Sequence, residues 1–331
     1  MKVFVTGATG LLGGSVVRQL LAQGHEVLGL VRDPRKARPQ QGLTWCEGDI
    51  EFPAGWRERL HGCQAVVHCA AYFREYYGRG DHWPRLVRLN VQATLELLEE
   101  SLKAGVSHFV HITSSGTLHP RSQATLDEEC RGQADLKSNL YFRSKILTDE
   151  AIDAWPGRDR LRVITILPGW MFGPEDVAPT AAGRLVHDFL NGKLPAVPPG
   201  GTGVVDARDV ASAIVAALER QDIRGRYVVA GPTTTLANLT RLLEKVSGQR
   251  GPRLHLPYRL AMLLALVVET VARWLGKDAL ITREGIRSLQ HGHQYNSSRA
   301  QRDLGVTFRP LEETLSDCVT WWRSRTTTDS A

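Results

Sequence analysis

The sequence predicts an α/β protein: a doubly wound parallel sheet with a smaller, mostly helical cap at its C-terminal end. Three observations lead there. An apolar run at Val3 to Val5 enters the turn Thr6-Gly7-Ala8-Thr9-Gly10-Leu11-Leu12-Gly13 and leaves it on the helical pattern Val16, Val17, Leu20, Leu21. Strand-like runs then alternate with helical segments as far as residue 167, the rhythm of parallel strands joined by crossover helices. From Pro168 that rhythm loosens, through the stretch Leu194-Pro195-Ala196-Val197-Pro198-Pro199-Gly200-Gly201, into a largely helical remainder.

The first turn is suited to a pyrophosphate. Such a group reaches the free N–H groups of a helix start only where the backbone comes close, and glycines permit that by lacking a Cβ. Gly7 makes the tight turn, Gly10 admits the phosphates and Gly13 lets the helix lie against its strand, with Thr9, Leu11 and Leu12 beside them. The second strand, Val27–Val31, ends at Arg32-Asp33-Pro34. An acidic side chain there would bond an adenosine ribose and repel a 2′-phosphate, whereas an arginine would attract one. Arg32, with Arg35 and Lys36 behind it, therefore favours NADP(H), and Asp33 in the ribose role would select NAD(H) instead. The third strand, Leu43–Cys46, leads to Asp49 and Ile50 beside the adenine, unless Asp49 merely starts the following helix.

The fourth strand, Ala65–His68, runs on to Tyr72-Phe73-Arg74-Glu75-Tyr76-Tyr77, and a helix over Trp83–Lys103 follows. The fifth, His108–Thr113, delivers Ser114, Ser115 and Gly116 to the carboxyl end of a central strand, where ligands of such sheets bind. On the next helix, Asn139–Ala154, Tyr141 and Lys145 project from one face, a turn apart. A phenol with an unperturbed pKa near ~10 is a poor proton donor and acceptor at neutral pH, and a neighbouring ammonium favours its ionised form. Ser115 holding a substrate oxygen, Tyr141 moving a proton and Lys145 tuning Tyr141 make a proton-transfer site. The sixth strand, Arg162–Leu167, leads to Trp170-Met171-Phe172; the aromatic groups after the fourth and sixth strands suit an apolar or flat substrate, or else pack the cap on the core.

Beyond these, a helix over Asp209–Arg220 precedes a β-like segment at Arg226–Ala230, and Pro257–Leu275 reads as a buried or half-buried helix, with a membrane-surface role as the lesser alternative. Its apolar run, Leu260 to Val268, is too short to span a bilayer and is closed by Glu269 and Arg273. The organisation expected is a nucleotide-binding core over residues 1–167, with contributions from about 203–230, and a substrate-binding cap over 168–202 and 231–325.

Composition narrows the class. The chain has 331 residues, 42% of them hydrophobic and 23% charged, enough for one large two-lobed domain with a buried core. Its net charge of +6 comes from arginines spread along the whole sequence, which suits anionic small molecules and argues against a nucleic-acid partner. Five scattered cysteines without paired spacing point to a reducing compartment and away from structural zinc. His291-Gly292-His293 lacks a third ligand nearby and reads as surface, so no metal is expected. With the first strand starting at Lys2 there is no room for a signal peptide, and a cytoplasmic location is expected.

Taken together, the glycine turn, the Thr113-Ser114-Ser115 strand end and the Tyr141/Lys145 pair resemble the extended short-chain dehydrogenase/reductase superfamily. The resemblance runs from Lys2 to about Arg325 and implies a Rossmann core. Further matches are His68-Cys69-Ala70-Ala71, Asn90-Val91, Pro168-Gly169 and Phe172-Gly173-Pro174. By that resemblance Ala70, Ala71, Pro168 and Met171 approach the cofactor, Asn90 braces its helix near the site, and Lys145 also bonds the nicotinamide ribose. Val31-Arg32-Asp33-Pro34 and Thr113 to Thr117 look most like the dihydroflavonol reductase and hydroxysteroid dehydrogenase group, implying NADPH and a ketone or aldehyde. Sugar-nucleotide dehydratases carry an acidic pair where this chain has Gly116-Thr117-Leu118, which disfavours dehydration. Related proteins often read Arg-Pro where this chain has Leu167-Pro168.

Three functions follow: an NADPH-dependent carbonyl reductase with Tyr141 as proton donor and Tyr72, Phe73, Ser115 and Trp170 on the substrate; a nucleotide-sugar epimerase with tightly held NAD(P); or a cofactor-binding regulator. Arg32 and the Ser115, Tyr141 and Lys145 set support the first, and the retained Tyr/Lys pair disfavours the third. The resemblance also allows a homodimer, with the Trp83–Lys103 and Asn139–Ala154 helices as its contacts.

Overall fold

Val3, Phe4 and Val5 have no exposed surface, and the same holds for Ala65, Val66 and Val67. Strands this uniformly apolar belong in a parallel sheet covered on both faces. The computed structural model describes residues 1–73, 80–120, 125–134, 139–275, 282–290 and 292–328. In chain order its first part runs β1 (Lys2–Thr6), α1 (Leu11–Ala22), β2 (Glu26–Val31), β3 (Leu43–Glu47), β4 (Ala65–His68), α2 (Trp83–Leu86), α3 (Ala93–Lys103), β5 (His108–Ile112), β6 (Thr125–Leu126), α4 (Leu140–Asp153) and β7 (Arg162–Pro168). There follow β8 (Trp170–Phe172), α5 (Ala181–Leu190), β9 (Gly201–Asp206), α6 (Ala207–Glu219), β10 (Gly225–Val229), β11 (Thr233–Thr235) and α7 (Leu236–Ser247). The last part comprises α8 (Tyr258–Leu275), α9 (Arg283–Gln290), β12 (Gln294–Tyr295), α10 (Ser298–Leu304) and α11 (Leu311–Thr328).

Seven strands form one parallel sheet in the order β10-β7-β5-β4-β1-β2-β3. The chain therefore lays strands outward from β1 to β3, returns to β4 on the other side of β1, and continues outward to β10. The crevice where the order reverses, between the carboxyl ends of β1 and β4, is where such sheets bind ligands. Thr6 stands opposite His68 at that point, and His68 opposite His111 on β5.

One face of the sheet packs on α1 and α6 through Val16, Leu20, Val210 and Ile214, and the other on α3 and α4 through Leu97, Leu98 and Ile152. A third cluster, with Phe172, Val186, Phe189, Leu239 and Leu315, ties β8, β9, α5, α7 and α11 together at one side.

The helix expected over 83–103 is continuous, but it is wound wider at Val87–Gln92, where a π-helical segment separates α2 from α3. Three features lie outside the expected elements: the small sheet β11-β9-β8, the β12-β6 pair, and the extension of β7 to Pro168. Gly201–Asp206 and Thr233–Thr235 offer no apolar alternation; partners distant in sequence make them strands. The helix expected over Pro257–Leu275, buried or half-buried, is half-buried. It forms as α8 and its inner side is buried, but Leu260, Leu263, Val267, Val271 and Trp274 are exposed.

Two histidines at the centre of the sheet are enclosed. Burial, aided by the charge of Lys145, pushes His68 down to about 3, and His111 is held well below the ordinary histidine range for the same reasons. The unfolded chain takes up a proton at each near pH 6.5, whereas the folded chain does not until far lower pH. Stability is therefore lost as pH falls below about 6.5, with a slope of about 1.4 kcal/mol per pH unit for each histidine. Denaturant midpoints measured from pH 7 down to pH 4 should show that decline, and His68→Gln should reduce its slope.

Candidate active site

At the glycine turn, the structure shows which roles the backbone demands. Gly7 has φ +67°, and a Cβ on it would lie 2.8 Å from the Ala70 nitrogen at the end of β4. A Cβ on Gly13 would come within 2.1 Å of the Gly7 carbonyl oxygen, so only glycine lets α1 cross its own strand this closely. Gly10 differs, since a Cβ there would meet only the Gly7 oxygen, at 3.4 Å, and it is exposed. It is also the N-cap of α1 and supplies no capping side chain. The first N–H groups of α1 thus face an open cradle that a Cβ at Gly10 would partly fill, a fit for an anionic phosphate at a helix start. Leu11 and Leu12 turn their side chains into the protein, which leaves their backbone for any such contact.

At the end of β2, Arg32 and Asp33 are in different situations. The Asp33 carboxylate accepts from the Arg35 backbone N–H at 3.2 Å and from its guanidinium at 2.8 and 2.9 Å, which holds its carboxyl below the usual range. The Arg32 side chain is 72% exposed, with its guanidinium 3.9 Å from Asp49. Lys36 is exposed at the end of the short turn Pro34–Lys36. Asp49 accepts from the Glu51 N–H, and its carbonyl accepts from the Trp56 indole, so it shapes the turn after β3 as well as standing near Arg32. Ile50 leans on the core cluster beneath.

Asn139 starts α4 by accepting from the Tyr141 and Phe142 N–H groups. Tyr141, Lys145 and Asp149 then recur every fourth residue along one face of the helix. Lys145 is 3% exposed; its ammonium donates to the Ile112 carbonyl at 2.7 Å and lies 5.9 Å from the centre of the Tyr141 ring. Desolvation brings Lys145 down to about 8, opposed chiefly by the charge of Asp149. The edge of Phe73 meets the Tyr141 ring at 4.8 Å.

Ser115 is buried in the short turn Ser115–Thr117 after β5, while the Ser114 hydroxyl closes that turn by accepting from the Gly116 N–H. A Cβ on Gly116 would strike the Phe142 ring at 2.3 Å, so this glycine lets α4 settle against the serine turn.

Asn90, in the π-helical segment, accepts from the Tyr72 N–H at 2.7 Å and donates to the Tyr72 carbonyl and the Ser144 hydroxyl. It fastens the loop after β4 to α4; π turns often mark such functional positions. Tyr72 also bonds His82 and lies under the Arg85 guanidinium. Ala70 donates to the Thr6 hydroxyl, and Ala71 is exposed beside it. Pro168 is buried at the end of β7, and Met171 packs partly on the sheet's core. Trp170 meets Phe172 edge-on at 5.0 Å and leans on the cluster around Phe189 and Leu239, apart from the Phe73–Tyr141 contact. Arg74 to Tyr77, and His291 of the His-Gly-His segment, lie outside the described residues.

Several residues of this site escape a reading of the sequence. The buried Asp149 pairs with Arg226 of β10 at 3.0 Å and accepts from the Thr113 hydroxyl at 3.1 Å. Its place four residues beyond Lys145 was a usable signal; nothing marked Arg226 as pointing inward. A second buried chain runs from Thr6 through both ring nitrogens of His68 to Thr94, at 2.7 and 3.0 Å, and on to the Asn90 carbonyl.

The NAD-dependent epimerase/dehydratase family model matches residues 3–230. The chain is 32% identical to sterol demethylase protein B of Methylococcus capsulatus over 332 residues, covering 98% of this chain and 99% of that one. It is 28% identical to cinnamoyl-CoA reductase 1 of Oryza sativa, covering 96% and 89%. In fold it matches the yeast methylglyoxal/isovaleraldehyde reductase Gre2, solved with NADPH, at a TM-score of 0.77, 21% identity and 99% of both chains. The chain is an NAD(P)-dependent enzyme of the oxidoreductase type. It belongs to the NAD-dependent epimerase/dehydratase family, within the extended short-chain dehydrogenase/reductase superfamily.

Proposed function

We propose that this enzyme reduces an apolar ketone or aldehyde at the expense of NADPH. The observation that carries the reading is the buried Lys145 ammonium, fixed by the Ile112 carbonyl one helical turn from Tyr141. The cofactor, when bound, supplies the hydride. Gly7, Thr9, Gly10, Leu11, Leu12 and Gly13 would hold its pyrophosphate, with Asp49, Ile50, Ala70, Ala71, Pro168 and Met171 along its length. Arg32 and Lys36 would take a 2′-phosphate, since Asp33 is already neutralised by Arg35. That pairing supports NADP(H) over NAD(H).

On the substrate side, Ser115 orients the carbonyl oxygen and Tyr141 donates the proton that the developing alkoxide takes up. Lys145 lowers the cost of the phenolate left behind. Asp149, backed by Thr113 and Arg226, holds Lys145 in its charged form. Phe73 and Tyr72 would line the substrate's apolar side, with Trp170 further out, and residues 168–202 and 231–325 would close the site as a cap. The relative named for sterol demethylation supports a bulky apolar carbonyl compound, and a sterol ketone is the first substrate to try.

Tyr141→Phe should lower reductive turnover by about 100-fold or more, while NADPH affinity, read by cofactor fluorescence, stays within a few-fold. Turnover that survives would overturn the assignment; a cofactor that stays bound without net consumption of NADPH would point to an epimerase. Arg32→Ala should cut the preference for NADPH over NADH by about tenfold, the worth of one charge-assisted contact.

The pH profile tests Lys145. Besides Tyr141, the titratable groups facing it are Asp149, Cys69, His68 and His111, and of these four only the first favours its charged form strongly near neutral pH. Its ammonium is present below about pH 8 and is lost above, so reductive kcat/KM should fall as pH rises through that value. Asp149→Asn, with folding verified by circular dichroism, should move that limb to lower pH.

A further inference from the structure

Helix α8 turns its alanines inward and most of its large apolar residues outward. Ala261, Ala265 and Ala272 are 1%, 0% and 7% exposed, whereas Leu260, Leu263, Val267, Val271 and Trp274 are 50%, 57%, 52%, 50% and 85% exposed. The second set is spaced three or four residues apart and forms one stripe along the helix. Twelve large hydrophobic side chains are exposed among the described residues, and seven of them lie on this helix, so the exposure is a patch and not scatter. Apolar patches of this kind mark contact surfaces.

Charge identifies the partner. From Arg250 to Leu275 the sequence carries four arginines, Arg250, Arg253, Arg259 and Arg273, and a single carboxylate, Glu269. Glu269 faces inward, where it accepts from the Arg283 N–H and guanidinium at 2.7 and 2.8 Å. Arg250 and Arg259 are exposed, as is Arg287 on the neighbouring α9; Arg253 reaches Glu244 at 3.4 Å. A second copy of this face would bring the same cations together across a twofold axis. An anionic surface balances them instead.

We infer that α8 is an interfacial helix that lays its leucine, valine and tryptophan stripe into an anionic lipid surface, with the neighbouring arginines at the headgroups. No described helix is long and apolar enough to cross a membrane, so the contact lies in the plane of the surface. The placement has a use. Ala261 and Ala265 of α8 pack with Ile286 of α9, and Leu289, a turn further along α9, backs onto Gly200 and borders the crevice that holds Trp170. A lipid-dissolved substrate would thus arrive two helices from Trp170, the outermost of the aromatic residues assigned to the substrate. The docking itself does not depend on the reductase reading.

Flotation of the full chain with vesicles tests this. Binding to vesicles of phosphatidylcholine with phosphatidylglycerol should exceed binding to phosphatidylcholine alone by about tenfold or more, and should weaken at high salt. Leu263→Glu combined with Val267→Glu should reduce flotation at least about tenfold, because both sites lie on the stripe. Both positions are exposed, so the variant should keep its circular dichroism and NADPH binding. Flotation that the double substitution leaves unchanged would overturn the proposal. So would the absence of flotation with any vesicle, or a dimer in sedimentation that the same substitutions dissolve.

Discussion

A charged ammonium in the interior is the constraint around which the rest of the site is arranged. Lys145 is 3% exposed, and a lysine so enclosed is stable only where carbonyl and carboxylate groups replace its lost water. The Ile112 carbonyl, at the carboxyl end of β5, supplies the direct contact. Asp149 supplies the opposite charge, and is itself buried, so it needs Arg226 and the Thr113 hydroxyl. One buried cation thus commits α4, β5 and β10 to a common geometry. The pair Tyr141/Lys145 is short-range in sequence, yet its environment is assembled from positions up to 81 residues from Lys145, the distance to Arg226.

A second requirement links the glycine turn to that site. The Ala70 N–H donates to the Thr6 hydroxyl, which meets one nitrogen of His68; the other meets the Thr94 hydroxyl, which donates to the Asn90 carbonyl. With His68 held neutral, every group in this row has a partner without any buried charge. Asn90 then reaches Ser144 and the loop at Tyr72. The turn at α1 and the face of α4 are in this way joined by one hydrogen-bonded row, which is what holding a cofactor and the proposed proton donor in register would require.

The C-terminal part follows a different logic. Its cluster around Phe172, Phe189, Leu239 and Leu315 is apolar and well enclosed, while α8 leaves its larger side chains outside. Periodicity alone could not reveal this, because a stripe of leucine and valine looks the same whether it meets protein or something else. Only the alanines opposite, packed on α9, show which side of the helix the protein uses.

By itself the sequence determined the alternation of strands and helices to residue 167, the glycine turn, and the order of Ser115, Tyr141 and Lys145, because these depend on local periodicity and on short spacings. The superfamily was legible for the same reason. Tertiary structure alone decided that the strands at 201–206 and 233–235 exist, since they are stabilised by distant pairing and carry no apolar pattern of their own. It also decided that Asp149 and Arg226 meet behind Lys145, and which side of the half-buried helix α8 packs on the protein and which faces outward. Each of these turns on where side chains far apart in sequence find their partners, and desolvation and packing set that only once the chain has closed on itself.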